Sequence, residues 1–292
     1  GALFNNVLAG VNLEGNRFFY LNPLEADGET TFNHGHAERA PWFGTACCPT
    51  NLARLIPQVA GMMYAFDENN VYITLYASNS TTVPLSGGEV DIQQISDYPF
   101  EGTTKIILNT EKKQRYNLKL RIPTWVQGEK FLPGNLYSFE NKNQQQEWKV
   151  IVNGKESDSE LKNGFVTINR KWSKRDTVEL VLNMNVKWNK AHDLVLENKD
   201  KLAVTRGPLL YCTEDGDYNK LRDKLFVQTI PDNLIKIERF SDTVLKGIPH
   251  IYLPLTEKDG ENFKKTDIQF IPYFSWNNRG NRPMMVWLNT NF

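Results

Sequence analysis

The sequence is short of the features that settle a function quickly. Its charge has no sign: 34 Lys and Arg balance 34 Asp and Glu over 292 residues. No bulk field draws such a chain to nucleic acid or to an anionic membrane surface, and neither partner is expected. Long apolar runs are missing too. The longest, Leu52 to Phe66, is broken by Arg54, Pro57 and Gln58 and falls short of the roughly 20 residues that cross a bilayer as a helix. The chain opens Gly1-Ala2-Leu3-Phe4, with no initiator Met and no basic leader, so the expectation is a removed signal or a start part-way through a longer protein. There is no Gly-rich phosphate loop, no Gly-x-Ser-x-Gly and no His-Glu-x-x-His, which sets aside the nucleotide-binding, serine-hydrolase and zincin chemistries those motifs carry. Cysteines number three, Cys47, Cys48 and Cys212. An odd count is not a disulfide framework, and a bridge between neighbours is strained. Free thiols suit a reducing interior, and a periplasmic protein whose thiols a metal protects fits as well.

What is present is ordinary globular composition with a change of period part-way along. Leu3 to Ala9 reads as the end of a helix closing at Gly10, and Arg17 to Leu21 as a short strand after the turn Glu14-Gly15-Asn16. Ala26 to Pro41 is polar and turn-rich. Leu52, Leu55, Ile56, Val59, Ala60 and Met63 then follow the 3.6-residue period of a helix. Pro49-Thr50-Asn51 offers it a start, and Pro57 should kink it or shift that start. After residue 70 the period becomes two. Val71 to Tyr76, Tyr116 to Ile122 and Thr177 to Leu182 are strand-like, and Lys149 to Val152 runs into the hairpin signal Asn153-Gly154, with Phe165 to Ile168 expected to return along it. Further strands are expected at Leu202 to Thr205, Leu209 to Cys212, Phe226 to Ile230, Ile235 to Phe240, Ile251 to Leu255, Ile268 to Ile271 and Met284 to Leu288. So many short strands exceed one small sandwich. The expectation is a mainly β protein in three parts: a helical remnant at 1–67, a β-sandwich at 68–190 and a second β-sandwich at 191–292. Too little lies before residue 70 to bury a core unaided, so that part reads as the end of a larger helical domain.

The residues richest in chemistry lie in that first part. His34-Gly35-His36 is followed by Trp42-Phe43-Gly44-Thr45-Ala46-Cys47-Cys48-Pro49. Imidazole and thiolate are the usual zinc ligands, so His34, His36, Cys47 and Cys48 could close a structural site, although adjacent cysteines must splay to share one ion. The bland alternative is solvated histidines and thiols filling space beneath Trp42. A Cys-Cys-Pro turn before a helix weighs against it, because a helix N-terminus stabilises a thiolate as ligand and as nucleophile. Asn22-Pro23-Leu24-Glu25, with Asp27, follows the aromatic run Phe18-Phe19-Tyr20, which could wall a sugar pocket. Glu38-Arg39 could be a simple ion pair. Cys212 sits in an apolar strand and reads as core. Asn79-Ser80-Thr81 fits a glycosylation acceptor, a pattern that often matches by chance.

Three runs carry a resemblance: Leu3-Phe4-Asn5-Asn6-Val7-Leu8-Ala9-Gly10-Val11; Phe18-Phe19-Tyr20-Leu21-Asn22-Pro23-Leu24-Glu25; and Trp42 through Leu55 with its Ala-Cys-Cys-Pro-x-Asn core. Together with Leu202 to Tyr211 and the Ile271 to Trp287 tail, they resemble glycoside hydrolase family 127, the β-L-arabinofuranosidase-like enzymes, over nearly the whole chain. The resemblance implies the end of an (α/α)6 barrel followed by two β-sandwich domains. It also implies retaining hydrolysis of an oligosaccharide or glycoside by a zinc-held thiolate. Carried over, Cys47 would be nucleophile and metal ligand, and Cys48 a metal ligand. Glu25, His36 and Trp42 are the candidates for substrate contacts, and zinc is the one cofactor expected. The family's Glu-x-Cys ligand pair and its acid/base glutamate lie upstream, and this chain has no Glu-x-Cys; Glu25-Ala26-Asp27 is no substitute. The chain should then hold half an active site, inactive alone, and self-associate or pair with the missing barrel half. Two other readings stay open: a non-catalytic carbohydrate-binding or scaffolding protein with a Cys2His2 zinc site, and a redox protein using the vicinal dithiol.

Overall fold

The computed structural model describes residues 1–127, 135–140, 147–228, 230 and 232–290. The fold is mainly β. It divides into two compact units: Gly1–Ile56 with Leu132–Lys142 and Asn185–Phe292, and Pro57–Phe131 with Asn143–Met184.

The second unit is two sheets over one core. One sheet runs Leu161–Lys162, Phe165–Trp172, Gln114–Arg121, Asn70–Ile73, Tyr64–Phe66; the other runs Lys155–Glu156, Trp148–Val152, Asp176–Leu182, Thr103–Thr110, Gly88–Ser96, Asn79–Leu85. The two-residue alternation explains it. Leu118 and Leu120 from the first sheet and Ile92, Ile106, Leu108, Val178 and Leu180 from the second all point into the same buried cluster, closed by Trp172. Asn153 (φ 49°) and Gly154 (φ 78°) make the expected tight turn. The returning strand differs from the expectation: Trp148–Val152 pairs with Lys155–Glu156, while Phe165–Trp172 crosses to the other sheet and pairs with Gln114–Arg121. Turn chemistry fixed only the local reversal. Asn79, offered above as a glycan acceptor, has both amide atoms engaged, accepting from the Tyr64 hydroxyl at 2.6 Å and donating to the Ala77 carbonyl at 2.7 Å.

In the first unit the strands are joined by pairing all the way round. Its strands form one ladder that closes on itself. Lys201–Arg206 pairs with Leu209–Glu214, which pairs with Asn262–Pro272, then Pro249–Asp259, then Leu225–Phe226; Leu288–Asn289 runs parallel to that last strand and pairs back to Lys201–Arg206. Gly207 (φ 57°) makes the sharp reversal between the first two. Of the expected strand Phe226 to Ile230, Leu225–Phe226 is extended and residue 229 lies outside the described residues. Val186–Ala191 is one strand, so the expected border after residue 190 gives way to a division at Met184.

Residues 1–56 pack into this same compact unit. The reason is in the polar contacts. Asn5 donates to the Pro208 carbonyl at 2.8 Å and accepts from the Leu210 amide at 2.8 Å. The Tyr273 hydroxyl donates to the Pro23 carbonyl at 2.6 Å, and Glu25–Ala26 adds a two-residue strand to Met284–Met285. The start of the chain is a π-turn, Leu3–Val7, continued by a 3-10 turn, Leu8–Gly10. Arg17 to Leu21 is not a strand; Phe18 makes single bridges to Val11 and Ala40.

Candidate active site

Helix α1, Cys47–Gln58, begins five residues before the apolar period that announced it, so Cys47 is its first residue. The period marked only the packed face, where Leu52, Leu55 and Ile56 are half-buried. The first turn is locked by polar side chains: the Thr50 hydroxyl donates to the Ala46 carbonyl at 2.7 Å and Asn51 Nδ2 to the Cys47 carbonyl at 2.8 Å. Pro57 lacks an amide hydrogen, and two residues later the helix tightens into the 3-10 turn Val59–Met62.

Cys47 therefore stands at the positive end of a three-turn helix, exposed to solvent. Its Sγ lies 2.7 Å from the Tyr20 hydroxyl. That hydrogen bond is the chief cause that lowers the Cys47 thiol below its ordinary value; the Cys48 thiol and the amides at the helix start add to it. The same bond pushes Tyr20 up to about 12. Cys48 moves the opposite way, raised by burial and then by its neighbour. The two thiols are thus differentiated, with Cys47 the better nucleophile of the pair. Cys212 is fully buried among strands and its thiol is raised further by that burial, as core residues are.

Aromatic rings hold this thiol in place. The Tyr20 ring meets His34 edge-on at 4.2 Å and Phe43 at 5.3 Å; Phe43 in turn packs with Phe18, Ala40 and Leu52. Trp42 is half exposed and makes a T-shaped contact with Phe18 at 5.9 Å. Asn33, fully buried, accepts from the Tyr20 amide at 2.7 Å and donates to the Phe18 and Glu38 carbonyls at 3.2 and 2.9 Å. Asn33 is the residue that sequence reasoning missed, since an asparagine before His34 carried no signal of its own. Tyr20 was expected only as part of an aromatic run that could wall a sugar pocket, and not as the partner of the thiol.

The structure brings Cys47 and Cys48 together but not the four-residue zinc site. Among the described residues, no three His, Cys, Asp or Glu side chains converge as a metal-holding group. His34 is turned into the Tyr20 and Phe43 rings, and His36 is exposed in the turn that Asn33 closes. The two thiols fit a soft cation as a partial donor set and need further ligands to complete a tetrahedron. Glu25 is exposed and accepts a hydrogen bond from the Tyr218 hydroxyl. Asp27 is a turn carboxylate, held low by the Thr30 hydroxyl and by the amides of Thr30 and Glu29. Glu38 and Arg39 are not a pair: Glu38 meets Arg17 at 3.6 Å, and Arg39 is buried. No helix among the described residues is long and apolar enough to cross a membrane.

Three family profiles match consecutive stretches of this chain. They are the beta-L-arabinofuranosidase GH127 catalytic domain at residues 1–61, the GH127 middle domain at 70–184 and the glycoside hydrolase family 127 C-terminal domain at 186–289. The chain belongs to glycoside hydrolase family 127. A non-reducing end beta-L-arabinofuranosidase of Bifidobacterium longum subsp. longum is 27% identical over 98% of the chain. Among solved structures, a GH127 beta-arabinofuranosidase superimposes with a TM-score of 0.86 at 34% identity, over 99% of this chain and 44% of its own. A GH127 beta-L-arabinofuranosidase from Geobacillus stearothermophilus T6 gives 0.83 at 30% identity, over 99% and 45%. The chain spans 44% of the Bifidobacterium relative as well. Cys47 and its surrounding rings fall in the stretch matched by the GH127 catalytic profile.

Proposed function

We propose that this chain is the thiolate-bearing part of a retaining glycoside hydrolase of the β-L-arabinofuranosidase type, with Cys47 as nucleophile. The observation that carries the reading is the exposed Cys47 thiol on the first turn of α1, lowered by the Tyr20 hydroxyl at 2.7 Å. In the first step Cys47 Sγ forms a bond to the anomeric carbon as the glycosidic C–O bond breaks. A general acid protonates the departing oxygen. In the second step water attacks the anomeric carbon and gives a proton to the group that served as general acid, now its conjugate base, while the C–S bond breaks and its electron pair returns to sulfur. There the Tyr20 hydroxyl helps twice. It enlarges the thiolate fraction before attack, and it donates to the sulfur as negative charge reappears on it.

Cys47 and Cys48 are the residues that would hold zinc; bound there, the ion would keep the nucleophile deprotonated at neutral pH. The remaining ligands and the acid/base glutamate are assigned to the longer protein, so residues 1–292 alone should not turn over substrate. Trp42 is proposed as a stacking face for the sugar. His36 and Glu25 are proposed as polar contacts to its hydroxyls, Glu25 oriented by Tyr218.

The test is the longer protein that carries this chain, assayed with an aryl β-L-arabinofuranoside. Release of arabinose that Cys47→Ser abolishes, with a glycosylated Cys47 peptide trapped by mass spectrometry, is the expected result. Full turnover by the Cys47→Ser protein would overturn the assignment.

A further inference from the structure

Arg39 is the least expected side chain in the first unit. It is 2% exposed, yet it carries a guanidinium. Glu214, whose charge reaches it, is itself paired with Arg279 at 2.8 Å. Burial pulls Arg39 down to about 10. Three carbonyls and a ring hold it instead. Nη1 donates to Trp276 O at 2.6 Å, and Nη2 to Ala9 O at 2.9 Å and Phe274 O at 3.4 Å; the Arg39 amide donates to Asn277 Oδ1 at 3.3 Å. Burying a charge on backbone dipoles is a costly way to join two loops, since an apolar residue fills such space at less expense. Its placement explains it. The guanidinium lies 4.4 Å over the Phe19 ring, and that ring stacks on Trp276 at 5.0 Å and 19°. Phe19 thus contacts both Arg39 and Trp276, and Tyr20 is the next residue. On either side of Arg39 the chain is tied to the same segment: Glu38 through Asn33, and Ala40 through its paired hydrogen bonds with Phe18 at 2.8 and 3.0 Å.

We propose that Arg39 is a positioning residue: by contacting Phe19, which stacks on Trp276, and pinning its own segment to the turn at 273–277, it holds Tyr20 at Cys47. The C-terminal part of the unit thereby sets the geometry of the thiol. This rests on the reading of Cys47 as the nucleophile, and a planar fork is needed because three acceptors in different directions must be met at once.

The experiment is a double-mutant cycle in the longer, active protein, using Tyr20→Phe, Arg39→Met and the pair, with kcat and KM measured well below each variant's melting temperature. Positioning through Tyr20 predicts that Arg39→Met lowers kcat about tenfold or more, the scale of a small misplacement of a reacting group, with KM within about threefold. It further predicts that Arg39→Met costs little once the Tyr20 hydroxyl is gone, and that Arg39→Lys does not rescue. Phe19→Leu keeps every backbone contact of Arg39 and removes only the ring, so it serves if Arg39→Met does not fold; it should mimic the kcat loss. A lowered melting temperature with unchanged kcat per folded molecule, or effects of Arg39→Met and Tyr20→Phe that simply multiply, would overturn the proposal. If the wild-type protein shows no hydrolysis, the cycle is read instead on the rate of Cys47 alkylation by iodoacetamide at one fixed pH. Non-additive effects then uphold the positioning role although the hydrolase reading has failed, and additive effects refute it.

Discussion

Gly102→Ala should damage the second unit out of proportion to one methyl group. A Cβ at this position would lie 1.8 Å from the Leu182 carbonyl oxygen and 2.9 Å from its carbon. Both neighbours are backbone, so neither can rotate away. The same carbonyl region is tied in place, since the Leu182 amide donates to the Gly102 carbonyl at 3.0 Å just where Thr103–Thr110 and Asp176–Leu182 begin to pair. Relief requires the two chains to part by roughly an ångström, which sacrifices that hydrogen bond at about 1 kcal/mol and adds overpacking strain of about 1–3 kcal/mol. The sum, about 2–4 kcal/mol, corresponds to a fall of about 8–16 °C in the melting temperature of a unit this size. Scanning calorimetry of the chain measures it. Gly61→Ala is the control, because nothing lies within 4 Å of the new Cβ and its φ is not in the left-handed region; it should raise melting by about 2–4 °C. If Gly102→Ala melts with Gly61→Ala, the close approach is wrong.

Three further outcomes follow from the contacts above. Tyr20→Phe removes the main donor to Cys47 and should move the midpoint of the pH–rate profile for iodoacetamide alkylation upward in chelator-treated protein; an unmoved midpoint breaks the assignment. Asp176 is held below the usual carboxylate range by Asn153, by the Ser173 amide and hydroxyl and by Arg170, against the opposing effect of its burial. Its contribution is therefore complete above the unfolded carboxyl value and is lost as pH falls through the lower folded value. Asp176→Ala, which strands Asn153 and Ser173 donors, should cost about 1–3 kcal/mol in urea unfolding at pH 7 and less at pH 3, and an equal cost at both would count against it. Trp42→Ala in the longer protein should raise KM several-fold while leaving melting nearly unchanged, since its ring is 52% exposed; a large loss of stability would make it a packing residue.

Local chemistry was legible wherever a short-range rule decided the outcome. Tyr116 to Ile122 and Thr177 to Leu182 alternate, and both are strands facing one core. Val90 and Ile92, or Ile106 and Leu108, alternate as plainly, and both segments are strands facing that core although neither is among the strands expected from the sequence. What periodicity does not encode is the partner. Phe165–Trp172 obeys the same period whether it returns along its hairpin or crosses to the other sheet, and only the shape of the shared core decides. At the site, the Cys-Cys-Pro turn pointed to an activated thiol and to α1, although the apolar period placed the helix start too late. The group that tunes the thiol was hidden because Tyr20 reaches Cys47 across 27 positions. Arg39 misled for a related reason: beside Glu38 it looked like half an ion pair, whereas two of its three carbonyl acceptors, Trp276 and Phe274, lie at the far end of the chain.

That separation has a consequence for synthesis. Arg39 and the carbonyl of Trp276 are 237 residues apart. At translation rates of about 5–20 residues per second, roughly 12–50 s pass between the emergence of one and the other. Through that interval Cys47 and Cys48 are already outside the ribosome, on a segment whose anchoring turn does not yet exist. The thiol pair is thus made well before the turn that anchors its framework, so the nascent chain passes through a stage in which Cys47 and Cys48 lack the contacts that Arg39 makes with that turn.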